Sequence, residues 1–335
     1  MDCHFCERRC NLEEGKQGFC RMYEVRDGVQ RERFPFLWSV YDLAHIESMP
    51  FYHVYPGSRS FSVGTEGCNF ACAYCMNSYI AREDPEEIRK TSFEMRPKEF
   101  VRMAQKLGCH NIVFNINEPT VSLLTLQEIS WEAKRAGMPM GCLSNGYQTP
   151  EGVELMTEIF SFVNISMKGL KDSFAQKTLG IPGFGPVLRN IGLFAQRVHL
   201  EVTTPIVEHE NDDEIQQMAD FLASVNKEIP WHVFRLQPDY KMIDSDYPNV
   251  EHINAELDIS RKKLPYIYFH NFIGSEWVST HCPYCGELVV ERISLGCGGD
   301  TLDRCHLNGR SCPKCGHVLN FLGEEKCWTE KEKFI

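Results

Sequence analysis

Gly67-Cys68-Asn69-Phe70-Ala71-Cys72-Ala73-Tyr74-Cys75 is the stretch whose reading decides the rest of the chain. Its cysteines follow C-x3-C-x2-C on one short loop. Three thiolates so placed close around three corners of a cubane 4Fe–4S cluster and leave the fourth iron without a protein ligand. Electron-carrying clusters are held by four cysteines, so an open iron suits an enzyme better than a carrier. Phe61-Ser62-Val63-Gly64, just upstream, reads as a strand delivering the loop. The competing reading is a zinc knuckle using two of the cysteines, although zinc motifs usually pair one C-x2-C unit with a distant second one.

The 335 residues allow one large domain or two to three smaller ones. A hydrophobic share of 43% supports a sizeable core rather than disorder. The formal charge of −11 argues against a non-specific nucleic-acid binder, which needs a basic footprint. No run approaches the apolar length of a membrane span. Met1-Asp2-Cys3-His4-Phe5-Cys6 lacks a basic and apolar signal region, so a cytoplasmic location is expected. There the 16 cysteines read as metal ligands rather than disulfides. Cys109 and Cys142 stand apart from the cysteine groups and are expected as core thiols.

From residue 60 to 240 strand-like and helix-like patterns alternate. Strands are expected at 61–64, 111–116, 140–144, 162–167, 200–207 and 232–236. One helix starts at Pro97 and points Phe100, Val101, Ala104 and Leu107 inward. Leu123, Leu126, Ile129 and Ala133 mark the next. Pro186 starts a third with Leu188, Ile191 and Ala195 inward, and Asn211 and Asp212 cap a fourth. Six strands with intervening helices imply parallel pairing, and the expected fold is α/β, a partial (β/α)6 TIM-type barrel. In such folds the chemistry gathers at the C-terminal ends of the strands.

Those ends carry Asn117-Glu118-Pro119-Thr120, Ser144-Asn145-Gly146-Tyr147 and Ser166-Met167-Lys168-Gly169. Glu118 suits a ligand ammonium, Lys168 a carboxylate, and Ser144 or Asn145 ribose hydroxyls. Each also reads as an ordinary turn residue, but their repetition beside a three-cysteine loop favours a site.

The cysteine loop resembles the signature of the radical S-adenosylmethionine (SAM) superfamily. With Phe51-Tyr52-His53-Val54-Tyr55-Pro56-Gly57-Ser58, Glu201-Val202-Thr203-Thr204 and Pro238-Asp239-Tyr240-Lys241-Met242, the whole chain resembles the radical SAM member of the AmmeMemoRadiSam system. That family is itself similar to pyruvate formate-lyase activating enzyme. The resemblance implies a 4Fe–4S cluster on Cys68, Cys72 and Cys75, and SAM held by Tyr74, Asn117, Glu118, Ser144, Asn145, Ser166 and Lys168. In that reading Glu118 meets the SAM amino group and Tyr74 lies against the adenine. Activating enzymes carry Asp-Thr-Asn-Gly and Asp-Leu-Lys where this chain has Leu143-Ser144-Asn145-Gly146 and Ser166-Met167-Lys168. Two acids that could hold a cation beside SAM are therefore missing.

Cysteine modules flank this core. Cys3, Cys6, Cys10 and Cys20 follow C-x2-C-x3-C-x9-C, enough for zinc, mononuclear iron or an auxiliary iron–sulfur cluster. Cys282-Pro283-Tyr284-Cys285-Gly286 and Cys312-Pro313-Lys314-Cys315-Gly316 are paired knuckles of a structural zinc ribbon. Cys297, Cys305 and Cys327, with His281, His306 and His317, either supply one more site or stay unliganded. The expected division is 1–45 for the N-terminal module, 46–275 for the core and 276–335 for the ribbon.

The expected function is hydrogen abstraction from a carbon of a protein or peptide by a 5′-deoxyadenosyl radical, with a one-electron donor such as ferredoxin or flavodoxin. One alternative is a cobalamin-dependent radical methyltransferase, although no Asp-x-His-x-x-Gly cobalamin motif is present. The other is a non-catalytic metal-binding scaffold. Neither nucleic acid nor membrane is expected as a partner.

Overall fold

All six expected strands form, and they lie side by side in chain order. The computed structural model describes residues 1–326. Its main sheet has eight strands: β1 (Val40–His45), β2 (Arg59–Gly64), β3 (Asn111–Phe114), β4 (Met140–Ser144), β5 (Phe162–Ser166), β6 (His199–Ile206), β7 (Trp231–Arg235) and β8 (Ile267–His270). Neighbours from β2 to β8 are parallel, and β1 runs antiparallel along β2. Both outer strands go beyond the six expected. β1 fully buries none of its residues, exposing Tyr41 and Asp42 and half-burying the rest, and so shows no core pattern. It pairs along its whole length with β2, so the boundary drawn at residue 45 falls inside the main sheet rather than beside it. Asp42 and Ala44 of β1 line one cavity with His270 of β8, and the two edges face each other across it.

Six helices of ten residues or more pack on the sheet: α1 (Pro97–Lys106), α2 (Leu123–Arg135), α3 (Pro150–Ile159), α4 (Gly185–Ala195), α5 (Ile215–Val225) and α6 (Val250–Ser260). α2 buries its expected stripe and α1 buries Phe100, Val101 and Ala104, while Leu107 falls at the C-cap and is half-buried. α3 and α6 were not among the expected helices; Thr149 ahead of Pro150 and Asn249 cap them, their side chains accepting from first-turn amides. α4 buries Val187, Asn190, Ile191 and Phe194, not the expected set with Leu188 and Ala195. The stripe is displaced because Asn190 turns inward to hold the loop after β4, donating to the carbonyls of Gly146 (2.8 Å) and Gln148 (2.7 Å). Asn211 stands at the N-cap position of the single turn Asp212–Glu214 that leads into α5, but its side chain does not cap it. Its amide joins two strand ends by donating to the carbonyls of Lys168 and Pro205, and its oxygen accepts from Val207 N.

The two faces of the sheet are chemically distinct. Val163, Ile165, Val202, Val233 and Phe269 face the helices in one continuous core, each large side chain contributing roughly 1.5–3 kcal/mol by burial. The other face carries Asn164, Glu201, His232 and His270, all buried. Segment 46–58 lies against it and bonds Asn164, Glu201 and His270. Asn164 donates to Pro50 O (2.7 Å), and Glu201 accepts from the amides of Tyr52 (3.0 Å) and His53 (2.9 Å). Gly141 is required here, because a Cβ would stand 2.0 Å from the Phe162 ring.

The N-terminal module docks on α2. Tyr23 Oη donates to Thr120 O, and the Glu32 carboxylate accepts from the amides of Leu124 and Thr125 at the helix start. The C-terminal module is a three-stranded antiparallel sheet, Thr280–His281, Leu288–Ser294 and Asp300–Cys305. It shares a core with Tyr52, Tyr266 and Tyr268. No described helix is long and apolar enough to cross a membrane.

Candidate active site

The cysteine loop leaves β2 at Gly64 and turns at Gly67, whose φ of +76° favours glycine. A Cβ at Gly67 would also stand 2.7 Å from Cys20 O. The loop is then pinned from several sides. Ala71 N and Ala73 N donate to Leu179 O and Thr178 O, Arg82 to Phe70 O, and Arg8 to Asn69 O. Asn117, at the end of β3, accepts from Thr65 N (2.9 Å) and donates to Glu66 O and Gly67 O (both 3.0 Å). Its side chain holds the loop.

Cys68, Cys72 and Cys75 open onto a cavity of about 210 Å³ at the C-terminal ends of the strands. Asn117, Glu118, Ser144, Asn145, Ser166 and Lys168 line it too, so the expected set converges apart from Tyr74. The Tyr74 ring is buried in the main core, 5.6 Å from Lys168 Nζ, and does not line the cavity. Burial of so large an apolar surface accounts for that placement. A larger cavity, about 780 Å³, opens beside Trp131, Met138 and Arg197 near the opposite strand ends. None of the expected ligands lines it, and we place the chemistry in the smaller one.

Glu118 is the centre of the polar network. Its carboxylate accepts from Thr120 N (3.1 Å), Asn145 N (2.8 Å), Ser144 Oγ (2.9 Å) and Gln148 Nε2 (3.1 Å). Burial nevertheless pushes its pKa up, with those hydrogen bonds opposing. No Lys or Arg among the described residues pairs with it. Asn145 donates to Asn69 Oδ1 (2.6 Å), tying the β4 end to the cysteine loop. Gln148, missed from sequence, is fully buried and links Glu118, Thr120 and Ser144. A lone glutamine in a loop gave no periodic or motif signal.

A second cavity, also about 210 Å³, shares Asn115 and Ile116 with the first. Glu47, Asp300 and His270 line it, beside the turn Gly296-Cys297-Gly298-Gly299. Glu47 Oε2 and Asp300 Oδ1 are buried without hydrogen-bond partners. Behind them runs a buried chain from Glu201 through His232 (2.6 Å) and His270 (2.9 Å) to Asp300. Burial holds the His232 pKa down to about 4.

The two cysteine modules differ in geometry. Cys282, Cys285, Cys312 and Cys315 have their sulfurs within 4.8 Å of one another, with Cys282 to Cys315 at 3.7 Å and Cys285 to Cys312 at 3.6 Å. Zinc–sulfur bonds of about 2.3 Å in a tetrahedron place sulfurs about 3.8 Å apart, so this set fits one zinc ion. Cys3, Cys6, Cys10 and Cys20 line one cavity without converging in that way. The further site around Cys297 and Cys305 does not assemble among the described residues. Cys297 Sγ bonds Gln237, His306 pairs with Glu291 and His281 faces Gly286 O. Cys327 lies outside the described residues. Cys109 and Cys142 are buried core thiols, as expected.

Comparison with known proteins agrees with this geometry. The family described as "Radical SAM superfamily" matches residues 62–222, the span that carries the cysteine loop and the strand-end residues. The chain belongs to the radical SAM superfamily. It is 30% identical over 332 residues to "Uncharacterized protein MJ0808" of Methanocaldococcus jannaschii, covering 96% of this chain and 95% of that one. A domain of pyruvate-formate lyase-activating enzyme from Bacteroides vulgatus is similar over 48% of this chain and 98% of its own, at 20% identity and a TM-score of 0.40. Streptococcus suis SuiB bound to precursor peptide SuiA is similar over 65% of this chain and 48% of its own, at 13% identity and a TM-score of 0.48. Membership implies a 4Fe–4S cluster and SAM, and the radical SAM site here fits both. Three thiols face a cavity whose walls hold a buried carboxylate and, in Lys168, a cation, neither of which has an ion-pair partner among the described residues.

Proposed function

We propose that this radical SAM enzyme removes hydrogen from a carbon of a protein or peptide. The observation that carries the reading is Glu118, a buried carboxylate without a cationic partner, on the same cavity as Cys68, Cys72, Cys75 and Lys168. When bound, the cluster and SAM supply one-electron cleavage of a sulfonium C–S bond and a radical able to attack an unactivated C–H. A one-electron donor of the ferredoxin or flavodoxin class supplies the electron.

The chain's own residues bind and orient. Cys68, Cys72 and Cys75 hold the cluster, Glu118 receives the SAM ammonium, and Lys168 meets its carboxylate. Ser144 and Gln148 keep the Glu118 carboxylate facing the cavity, while Asn117 and Asn145 fix the loop against the strand ends. The substrate occupies the second cavity, beyond Asn115 and Ile116. Its walls carry Asp42, Glu47 and Asp300 without a lysine or arginine, which suits a basic side chain of the substrate. The C-terminal cysteines hold a structural zinc.

Anaerobically reconstituted, dithionite-reduced protein is expected to convert SAM to 5′-deoxyadenosine and methionine. Absence of that conversion would sink the enzyme reading in favour of a metal-binding scaffold. Methyl-labelled SAM separates the finer alternatives. Label transferred to a protein only when cobalamin is added would make the enzyme a methyltransferase, and turnover on a free metabolite alone would overturn the protein substrate.

A further inference from the structure

We propose that Cys3, Cys6, Cys10 and Cys20 hold a second 4Fe–4S cluster, fully ligated by protein and adjacent to the three-cysteine loop. The four cysteines line one small cavity of about 10 Å³. The rest of its wall is mainly Phe5, Leu12, Phe19, Tyr23 and Val121, with Arg8 the one charged side chain among the described residues. Thiolates that share one ion must crowd together, as the C-terminal four do within 4.8 Å. Thiolates of a cubane bind four separate irons and stand around it, with the centre left for iron and sulfide. The N-terminal four take the second arrangement, lining a common space without three of them approaching within 4.8 Å of one another.

The sulfurs are furnished for metal-bound thiolates. Backbone amides two residues on bond Cys3 (from Phe5), Cys6 (from Arg8) and Cys20 (from Met22), and Phe19 N bonds Cys10 Sγ at 3.3 Å. Cys68 receives the same contact from Phe70 N at 3.3 Å. Gln30 Nε2 adds a donor to Cys3 Sγ, also at 3.3 Å. Such N–H to sulfur bonds tune iron–sulfur centres.

Position gives the site its meaning. Asn69 lines the N-terminal cavity, contacts Cys6, and is the chain neighbour of Cys68. Arg8 lines the same cavity and bonds both Asn69 O and Gly180 O beside the loop. Asn69 thus joins the N-terminal site to the loop, and an iron–sulfur cluster there can exchange electrons with the loop cluster, whereas a zinc ion could not change its charge.

The test is metal and sulfide analysis with Mössbauer spectroscopy of the full chain, reconstituted without air. Wild-type protein is expected to hold about eight iron and eight sulfide per chain. The triple variant C68A/C72A/C75A should retain about four of each with a 4Fe–4S spectrum. The double variant C6S/C10S should lose that remainder while keeping the loop cluster and its SAM-dependent spectral change. Zinc or a single iron in the N-terminal site of the triple variant, or about four iron in folded wild type, overturns the proposal. Both readouts stand whether or not the enzyme turns over a substrate.

Discussion

The two cysteine modules carry four clustered thiols each and are built on opposite plans. In the C-terminal one the sulfurs meet at a point, Cys315 is exposed, and a core of Tyr52, Tyr266, Tyr268 and Val289 links the module to the sheet. In the N-terminal one the sulfurs ring a cavity whose wall includes Asn69, next to the reactive loop. On the reading proposed above, a metal that holds the fold and one that joins the reaction differ in the spacing of their ligands and in what lies next to them. The number of cysteines does not separate them.

The strongest way to break this comparison sets the loop against the ribbon. Cys72→Ala should bring deoxyadenosine formation down roughly 10³-fold or more, equivalent to about 4 kcal/mol of barrier. Cys312→Ser should leave cleavage per folded molecule within about twofold, a barrier change under about 0.5 kcal/mol. Equal losses in both folded variants would erase the distinction between modules.

Stability is where the ribbon should matter. Zinc binding in small peptides is worth roughly 10–16 kcal/mol, and part of that is transmitted through the shared core. Cys312→Ser should lose the zinc and lower the melting temperature by roughly 10 °C, measured by calorimetry with the metal content followed in parallel. An unchanged melting temperature would make the ribbon ornamental.

Acid should loosen the same end of the molecule. Burial holds the His53 pKa down to about 3 and the His232 pKa down to about 4, against 6.5 for a free ring. Both rings stay neutral in the folded chain while the unfolded chain takes up protons. Stability is therefore full above 6.5 and falls as pH drops towards 4, by about 1 kcal/mol per histidine per pH unit. Buried Glu32 and Glu47, raised to about 7, act in the opposite sense. The histidine part is therefore read from urea midpoints at pH 7.5 and pH 5 as the difference between wild type and His232→Asn. A variant with the same pH dependence as wild type would remove His232 from this account.

The smallest effect belongs to one carboxylate. Glu118→Gln removes a charged acceptor worth about 1.5–3 kcal/mol, so SAM affinity should fall roughly 10- to 100-fold. The loop cluster's absorbance should not change. SAM affinity equal to wild type would take Glu118 out of the ligand's reach.

Much of this was legible from residue order. The parallel strands announced themselves as short apolar runs, and the site residues as polar groups repeated at strand ends. What escaped had local physical reasons. β1 is half-exposed, so its side chains show no core pattern. Asn190 and Gln148 are polar residues buried by long-range contacts, which no window of neighbours reveals. Asn117 lines the site cavity as expected and also holds the cysteine loop, a second role hidden from sequence because its amide matches three backbone groups that converge only in the fold.

Segment 46–58 has a consequence for how the chain is made. Met49-Pro50-Phe51-Tyr52-His53-Val54 leaves the ribosome early, yet Tyr52 and His53 find their partners in Glu201, Tyr268, Asp300 and Asn320. At about 5–20 residues per second the apolar stretch waits on the order of ten seconds to a minute for its final cover. During that interval it is an exposed sticky tract beside unfilled cysteines. A chaperone that grips nascent apolar segments should bind there first, and slow translation of the last hundred or so residues should lower the yield of soluble protein.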